Sequence, residues 1–157
     1  MTPTMIKSRL VGLLLACTAL LVGAFMYLTW RPDVVYLNQF FFSFLDPESI
    51  SWLQSISFPG NLPLWLLGSL PDGMWMFAFV IIMMIIWDFR LDRKSLPWIV
   101  MVLVAGTSYE VLQGLHWISG TFDAMDLVFM CIGAMVPLSF IFIKYNLCKN
   151  YSGQSLP

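Results

Sequence analysis

The sequence predicts an all-α membrane protein with four transmembrane helices, and three observations carry that expectation. Hydrophobic residues make up 59% of the chain and charged residues 11%, where a soluble domain runs nearer about 45–50% and about 25%. So apolar a chain cannot cover its surface with polar groups, which makes lipid the expected solvent. Four apolar runs, at residues 10–30, about 72–89, 97–116 and about 123–143, reach the roughly 20 residues a helix needs to cross a bilayer. Finally, with four spans and an inner N-terminus, Lys7, Arg9, Arg90, Arg93, Lys94, Lys144 and Lys149 all fall on one side and only Arg31 on the other. That asymmetry predicts both termini in the cytoplasm.

The first run follows Lys7 and Arg9, as a signal peptide would. Its apolar stretch exceeds the about 7–15 residues of a signal core, so it reads as a retained anchor. The segment LLAC at 14–17 faintly resembles a lipoprotein cleavage box, but the apolar run carries on past Cys17. Between spans one and two, DPES at 46–49 reads as a helix start, with Asp46 as cap and Pro47 at the first helical position. Ile50, Leu53 and Ile56 then repeat at helical spacing beside Trp52, which suits a short helix lying in the outer interface. It serves as an anchor or as a lid. FPGN at 58–61 turns the chain, and LPLWLL follows. Gly and Pro at LPDG, SLPW and WISG mark the span ends. Residues 1–150 read as one domain, with 151–157 a frayed polar tail.

The net charge of -1 and the lack of a basic patch argue against nucleic-acid binding. Cys17, Cys131 and Cys148 have neither metal-ligand nor disulfide-framework spacing and read as small apolar fillers. No HExxH, GxSxG or phosphate-cradling glycine loop occurs.

The chemistry concentrates in YEVLQGLHWISGTFDAMDLVFM, residues 109–130, which holds Glu110, Asp123, Asp126 and the only histidine, His116, without a lysine or arginine. Glu110 lies about 20 Å from the inner end of span three at 1.5 Å per residue, in the outer half of the membrane. Asp123 and Asp126 open span four and Asp72 opens span two, all on that outer side. The short connection makes spans three and four an antiparallel hairpin, so the Glu110–Gln113 face can meet the Asp123–Asp126 face. Structural roles compete with chemical ones. Asp123 suits an N-cap with Asp126 at N3, and Ser69 and Asp72 around Pro71 suit the start of span two. His116 suits a helix end, and Arg31 a snorkelling cation. Glu110, mid-span, has no capping role. It is either neutral interhelical glue with Gln113 or functional. The candidate binding residues are therefore Asp72, Glu110, Gln113, His116, Asp123 and Asp126. Glu110 and Asp126 are the candidates for acid/base work, and Glu110, Asp123 and Asp126 for a divalent cation.

Glu110-Val-Leu-Gln113, Gly120-Thr-Phe-Asp123, Asp126-Leu127 and the Gly133-Ala134 step together resemble the VanZ-like family of small bacterial membrane proteins. The likeness is specific over about residues 108–135. Many members carry Arg where this chain has Gly120, Asn where it has Met130, and a His near Met74–Met76. The resemblance implies a multi-pass protein of the bacterial cytoplasmic membrane with a polar site near the outer face. Its family is named for an accessory protein of glycopeptide resistance, and it supplies no reaction. Three functions follow as expectations. The first is binding of a lipid headgroup, a glycan-bearing lipid or a partner membrane protein by the acidic site. The second is an intramembrane enzyme on an envelope lipid with Glu110 as acid or base. The third is a proton- or cation-coupled carrier.

Overall fold

The computed structural model describes residues 3–30, 43–44, 46–56, 63–118 and 121–153. The described residues form five helices and no strand: α1 (Pro3–Trp30), α2 (Pro47–Ser55), α3 (Leu64–Ile86), α4 (Leu96–Gly114) and α5 (Ala124–Gly153). All but α2 contain a stretch long and apolar enough to cross a membrane: Met5–Trp30, Trp65–Ile86, Leu96–Gly114 and Ala124–Phe142. The all-helical, four-span expectation therefore stands. Arg31, the FPGN turn and Gly120 lie outside the described residues.

α3 is the central helix, packed along its length against both α1 and α5, with α4 held more lightly against α3 and α5. α1 and α3 run antiparallel, since Ala16 and Ala19 of α1 pack on Ala78 and Ile81 of α3. The ion pair of Arg9 with Asp88 closes one end of that contact, and Tyr27 stacked on Trp75 lies near the other. α3 and α5 run parallel, and glycine lets them approach backbone to backbone. A Cβ on Gly133 would collide with the Gly73 carbonyl oxygen and sit 3.2 Å from the Phe77 nitrogen. A Cβ on Gly73 would lie 2.7 Å from the Phe129 carbonyl oxygen. Without a hydrophobic drive between helices in lipid, close contact of this kind is a main source of association. Below the crossing, Met76, Val80, Met84, Met130, Ala134 and Ile141 fill the α3–α5 seam.

The helix ends depart from the sequence reading in three places. α3 starts at Leu64, eight residues before Asp72, because LWLLGS continues the helix through a buried Pro71. A proline removes one internal hydrogen bond, which membrane helices tolerate. Ser69 and Asp72 are thus interior residues, past the first turn of α3, and the N-cap of that helix is Pro63. α1 begins at Pro3, well before residue 10. α5 continues to Gly153, so residues 144–153 extend the helix of the last span by more than two turns.

The ends themselves are sequence-encoded. Asp46 caps α2 by accepting from the Ser49 N–H at 2.8 Å, and the Ser49 hydroxyl donates to it at 2.7 Å. These bonds hold the Asp46 carboxyl below its ordinary pKa, the backbone bond most of all. The Trp30 indole N–H donates to the Ile56 carbonyl at 3.3 Å, tying the end of α2 to the end of α1. α2 packs on α1, as an interfacial anchor would. Before α4, the Asp92 carboxylate accepts from the Lys94 and Ser95 N–H groups while the Ser95 hydroxyl accepts from the Asp92 N–H. The Ser95 backbone bond is the main reason that its carboxyl is also held low.

The far end of α4 shows what His116 does. Its N–H donates to the Gln113 carbonyl at 2.9 Å, and the Trp117 N–H to the Leu112 carbonyl at 3.0 Å. This is the paired bonding of a left-handed helix terminator, and His116 occupies its left-handed position at φ 59°. An L-residue with a Cβ costs about 1–2 kcal/mol there. His116→Gly is expected to raise the melting temperature, with a gain under about 1 kcal/mol after glycine's entropy loss. His116→Val is expected to lower it. A drop with glycine would mean that the imidazole makes a contact worth more than the strain.

Candidate functional site

The site begins one layer below its acids. The Met76 methyl of α3 occupies the space above Gly106 of α4, and Met76 shares a buried cluster with Met130 of α5. A helix turn is 3.6 residues, so positions four apart share a face. One turn from each of these three residues, all toward the same end of the bundle, stands an acid. Asp72 precedes Met76 by four, Glu110 follows Gly106 by four, and Asp126 precedes Met130 by four. Antiparallel α4 and the parallel pair α3 and α5 thereby bring three carboxylates to the same end of the bundle, with Asp126 nearer that end than Asp72, since Gly73 packs level with the backbone between Phe129 and Gly133. A second tier lies about one turn further on, made of Ser69, Gln113 and Asp123. Glu110, Asp126, Gln113 and Ser69 are buried, at 5%, 4%, 8% and 0% exposure. Asp72 and Asp123 are half-buried.

One hydrogen bond locks the two tiers across the α4–α5 hairpin. The Asp123 N–H donates to Glu110 Oε2 at 3.3 Å. Asp123 is also the N-cap that its position predicts, accepting from the Met125 N–H at 2.8 Å through Oδ1. In a capping box the N3 side chain reaches back to the cap N–H. Here the acceptor of that N–H is Glu110 of the neighbouring helix, in place of the expected Asp126. Glu110, in the last turns of α4, therefore has a structural task as well as any chemical one.

The remaining expectations divide. His116 is exposed at the rim of the site and ends a helix, outside the two buried tiers. Trp117 beside it is 75% exposed, and Trp65 packs on Phe129 with ring centroids 6.2 Å apart, both at the acidic end of the bundle. Among the described residues, no three His, Cys, Asp or Glu side chains are grouped to hold a metal ion. Facing helices gather the three acids at one end of the bundle, without converging them on a common point. Cys17 and Cys131 are exposed thiols on outer helix faces, so they fill no core. A separate cavity of about 240 Å³ lies between α1, α3 and α5, lined by apolar residues including Ala19, Leu70, Met74 and Phe129. None of the acids lines it.

Sequence reasoning missed Ser69 as part of the site, having assigned it to a helix start. Its spacing of three from Asp72 and seven from Met76 carries the signal once α3 is known to begin at Leu64. The same holds for Gly106, whose missing side chain admits Met76 and fixes the register of Glu110.

The charge balance at this end is strongly one-sided. The turn at 87–95 and the beginning of α1 lie at the opposite end, where Lys7, Arg90, Arg93 and Lys94 are exposed. On the side of the acids the sequence supplies one cation, Arg31. Carboxylates so placed in a membrane hold protons, or draw in a cation or hydrogen-bond donors.

No family model, no curated protein and no solved structure matches the chain.

Proposed function

We propose that this chain is a VanZ-like cell-envelope membrane protein whose acidic site, at the outer face, binds the polar headgroup of an envelope lipid. The observation that carries the reading is the burial of Glu110 and Asp126 beside the Glu110–Asp123 hydrogen bond across the hairpin. A bundle whose only task was to span would have no need of such groups, since burying an ionised carboxylate within a membrane bundle carries a cost. The outer placement is supported by the gathering of Lys7, Arg9, Arg90, Arg93 and Lys94 at the opposite end, which the positive-inside rule assigns to the cytoplasm. Trp65 and Trp117 flank the acidic end, as interfacial tryptophans do. The ligand reading is favoured over catalysis because Glu110, the candidate acid or base, is engaged by the Asp123 N–H across the hairpin.

The test is lipid retention. Full-length protein extracted gently from its membrane is expected to carry a bound envelope lipid in native mass spectrometry. A Glu110→Gln, Asp126→Asn double variant should lose it while melting within a few degrees of wild type. Equal retention by both proteins removes the reading.

A further inference from the structure

We infer that the turn between α3 and α4, residues 87–95, binds the phosphate of an anionic phospholipid. This turn lies at the end of the bundle opposite the acids. The inference uses the four apolar helices and stands apart from the headgroup reading above.

The turn engages its acids internally and leaves its cations outward. Helix α3 ends in two successive left-handed residues, Asp88 at φ 54° and Phe89 at φ 56°. Residues with a Cβ avoid that region, so packing must hold them there. The Phe89 ring packs on the α3–α5 seam and reaches Gly12 of α1, and Asp88 pairs with Arg9 of α1. The Asp92 carboxylate accepts from the Lys94 and Ser95 N–H groups, each at 2.9 Å, and Ser95 is fully buried. Both acids of the turn are therefore engaged. Arg90, Arg93 and Lys94 are exposed. Among the described residues, no hydrogen bond or ion pair occupies the Arg90 or Arg93 guanidinium, and Lys94 stands beside Asp92. Arg9, Arg90, Arg93 and Lys94 together outnumber Asp88 and Asp92.

A second observation points to a lipid rather than a soluble anion. Leu91, Leu96 and Trp98 are each about half exposed beside these cations. The turn joins the stretches Trp65–Ile86 and Leu96–Gly114, both apolar enough to cross a membrane, so it lies where spans meet the headgroup layer. A Trp at that level is an interfacial residue. Cations next to exposed apolar side chains suit a molecule that is acidic at one end and hydrocarbon at the other. Arg90 and Arg93 are three residues apart, so their Cα atoms lie within about 11 Å, and their long side chains can close on one phosphate. The guanidinium fork binds phosphate oxygens bidentately. In a choline lipid the phosphate is balanced by its own ammonium. In phosphatidylglycerol it is not, which makes the latter the better match.

Full-length protein is placed in phosphatidylcholine nanodiscs doped with phosphatidylglycerol, and the lipids retained after transfer to detergent are counted by native mass spectrometry. A basic residue near a membrane surface contributes about fivefold, so phosphatidylglycerol should be enriched by about tenfold or more. The Arg90→Gln, Arg93→Gln double variant should bring the two lipids near parity at an unchanged melting temperature, since both side chains are exposed and hold nothing in the fold. Trp98→Ser should cut the enrichment several-fold. Lys7 is exposed at the same end, but two residues from Arg9 and so on the far side of α1 from the turn. Lys7→Gln should therefore change little. Undiminished enrichment in the double variant overturns the inference. So does a loss with Lys7→Gln equal to that with Arg93→Gln, which would mark the diffuse charge of that end. Stabilisation in pure phosphatidylcholine discs by inorganic pyrophosphate, indifferent to Trp98→Ser, would replace the lipid with a soluble anion and also overturns it. The Glu110→Gln, Asp126→Asn variant should keep the enrichment, so failure at one end of the bundle is distinguishable from failure at the other.

Discussion

Gly133→Ala should abolish the native packing of α3 on α5, while Gly106→Ala should leave it nearly intact. The two glycines look alike in the sequence, each inside an apolar helix. Their surroundings differ in what can move. A Cβ at Gly133 meets the Gly73 carbonyl group, with the carbonyl carbon 2.9 Å away, and the Phe77 nitrogen. These are backbone atoms of the central helix, so the helices themselves must separate. Overpacking costs about 1–3 kcal/mol where side chains can adjust, and here the loss should exceed about 3 kcal/mol because none can. At Gly106 the obstacle is the terminal methyl of Met76, an unbranched chain that changes rotamer readily. That substitution should cost under about 1 kcal/mol. Thermal unfolding in one detergent, followed by helix circular dichroism or tryptophan fluorescence, compares them directly. Equal losses would mean that the α3–α5 approach is not the main contact of the bundle.

The second large effect is local. Glu110→Leu should open the α4–α5 turn, whereas Glu110→Gln should keep it closed. Leucine leaves the part-buried Asp123 N–H without the Oε2 acceptor it uses in the native chain. A buried N–H left without its acceptor costs about 1–3 kcal/mol, which is about a fivefold or greater rise in the exchange rate of that amide. Glutamine retains an amide oxygen at the same reach, so exchange should stay within a few-fold of wild type. Overall stability is a poorer readout. Removing a buried carboxylate also relieves its own desolvation, and the two effects oppose each other. If Leu and Gln variants exchange alike at Asp123, the hairpin is held by something other than this glutamate. Separately, Glu110→Gln should keep the turn closed and still lose the ligand, which parts the residue's structural task from its proposed chemical one.

Both predictions show where the sequence was sufficient. Four spans follow from apolar length alone, because in lipid a helix satisfies its own backbone. Asp46 and Asp123 as caps follow from a short acidic side chain placed just before a helical run. His116 as a helix-end residue follows from its position after Gly114. Burial of Glu110 follows from the cost of exposing a carboxylate to acyl chains. Each of these is decided within a few residues of chain or by the solvent alone.

What the sequence could not decide is which residues meet. LPLWLLGSLPDG offers a proline and a glycine that read as a boundary. Only the packed position of α3 between α1 and α5 makes the helix run through Pro71, and that in turn converts Ser69 and Asp72 from caps into interior groups. Likewise, the acceptor for the Asp123 N–H was expected four residues along from the cap's predecessor, at Asp126, and is found on another helix. Local spacing fixes the face on which a side chain lies. The depth at which faces from separate helices coincide is set by where backbones can touch. Here that is the Gly73–Gly133 approach and the seat of Met76 on Gly106. Those contacts join residues 60 and 30 positions apart, which no local pattern in the sequence relates.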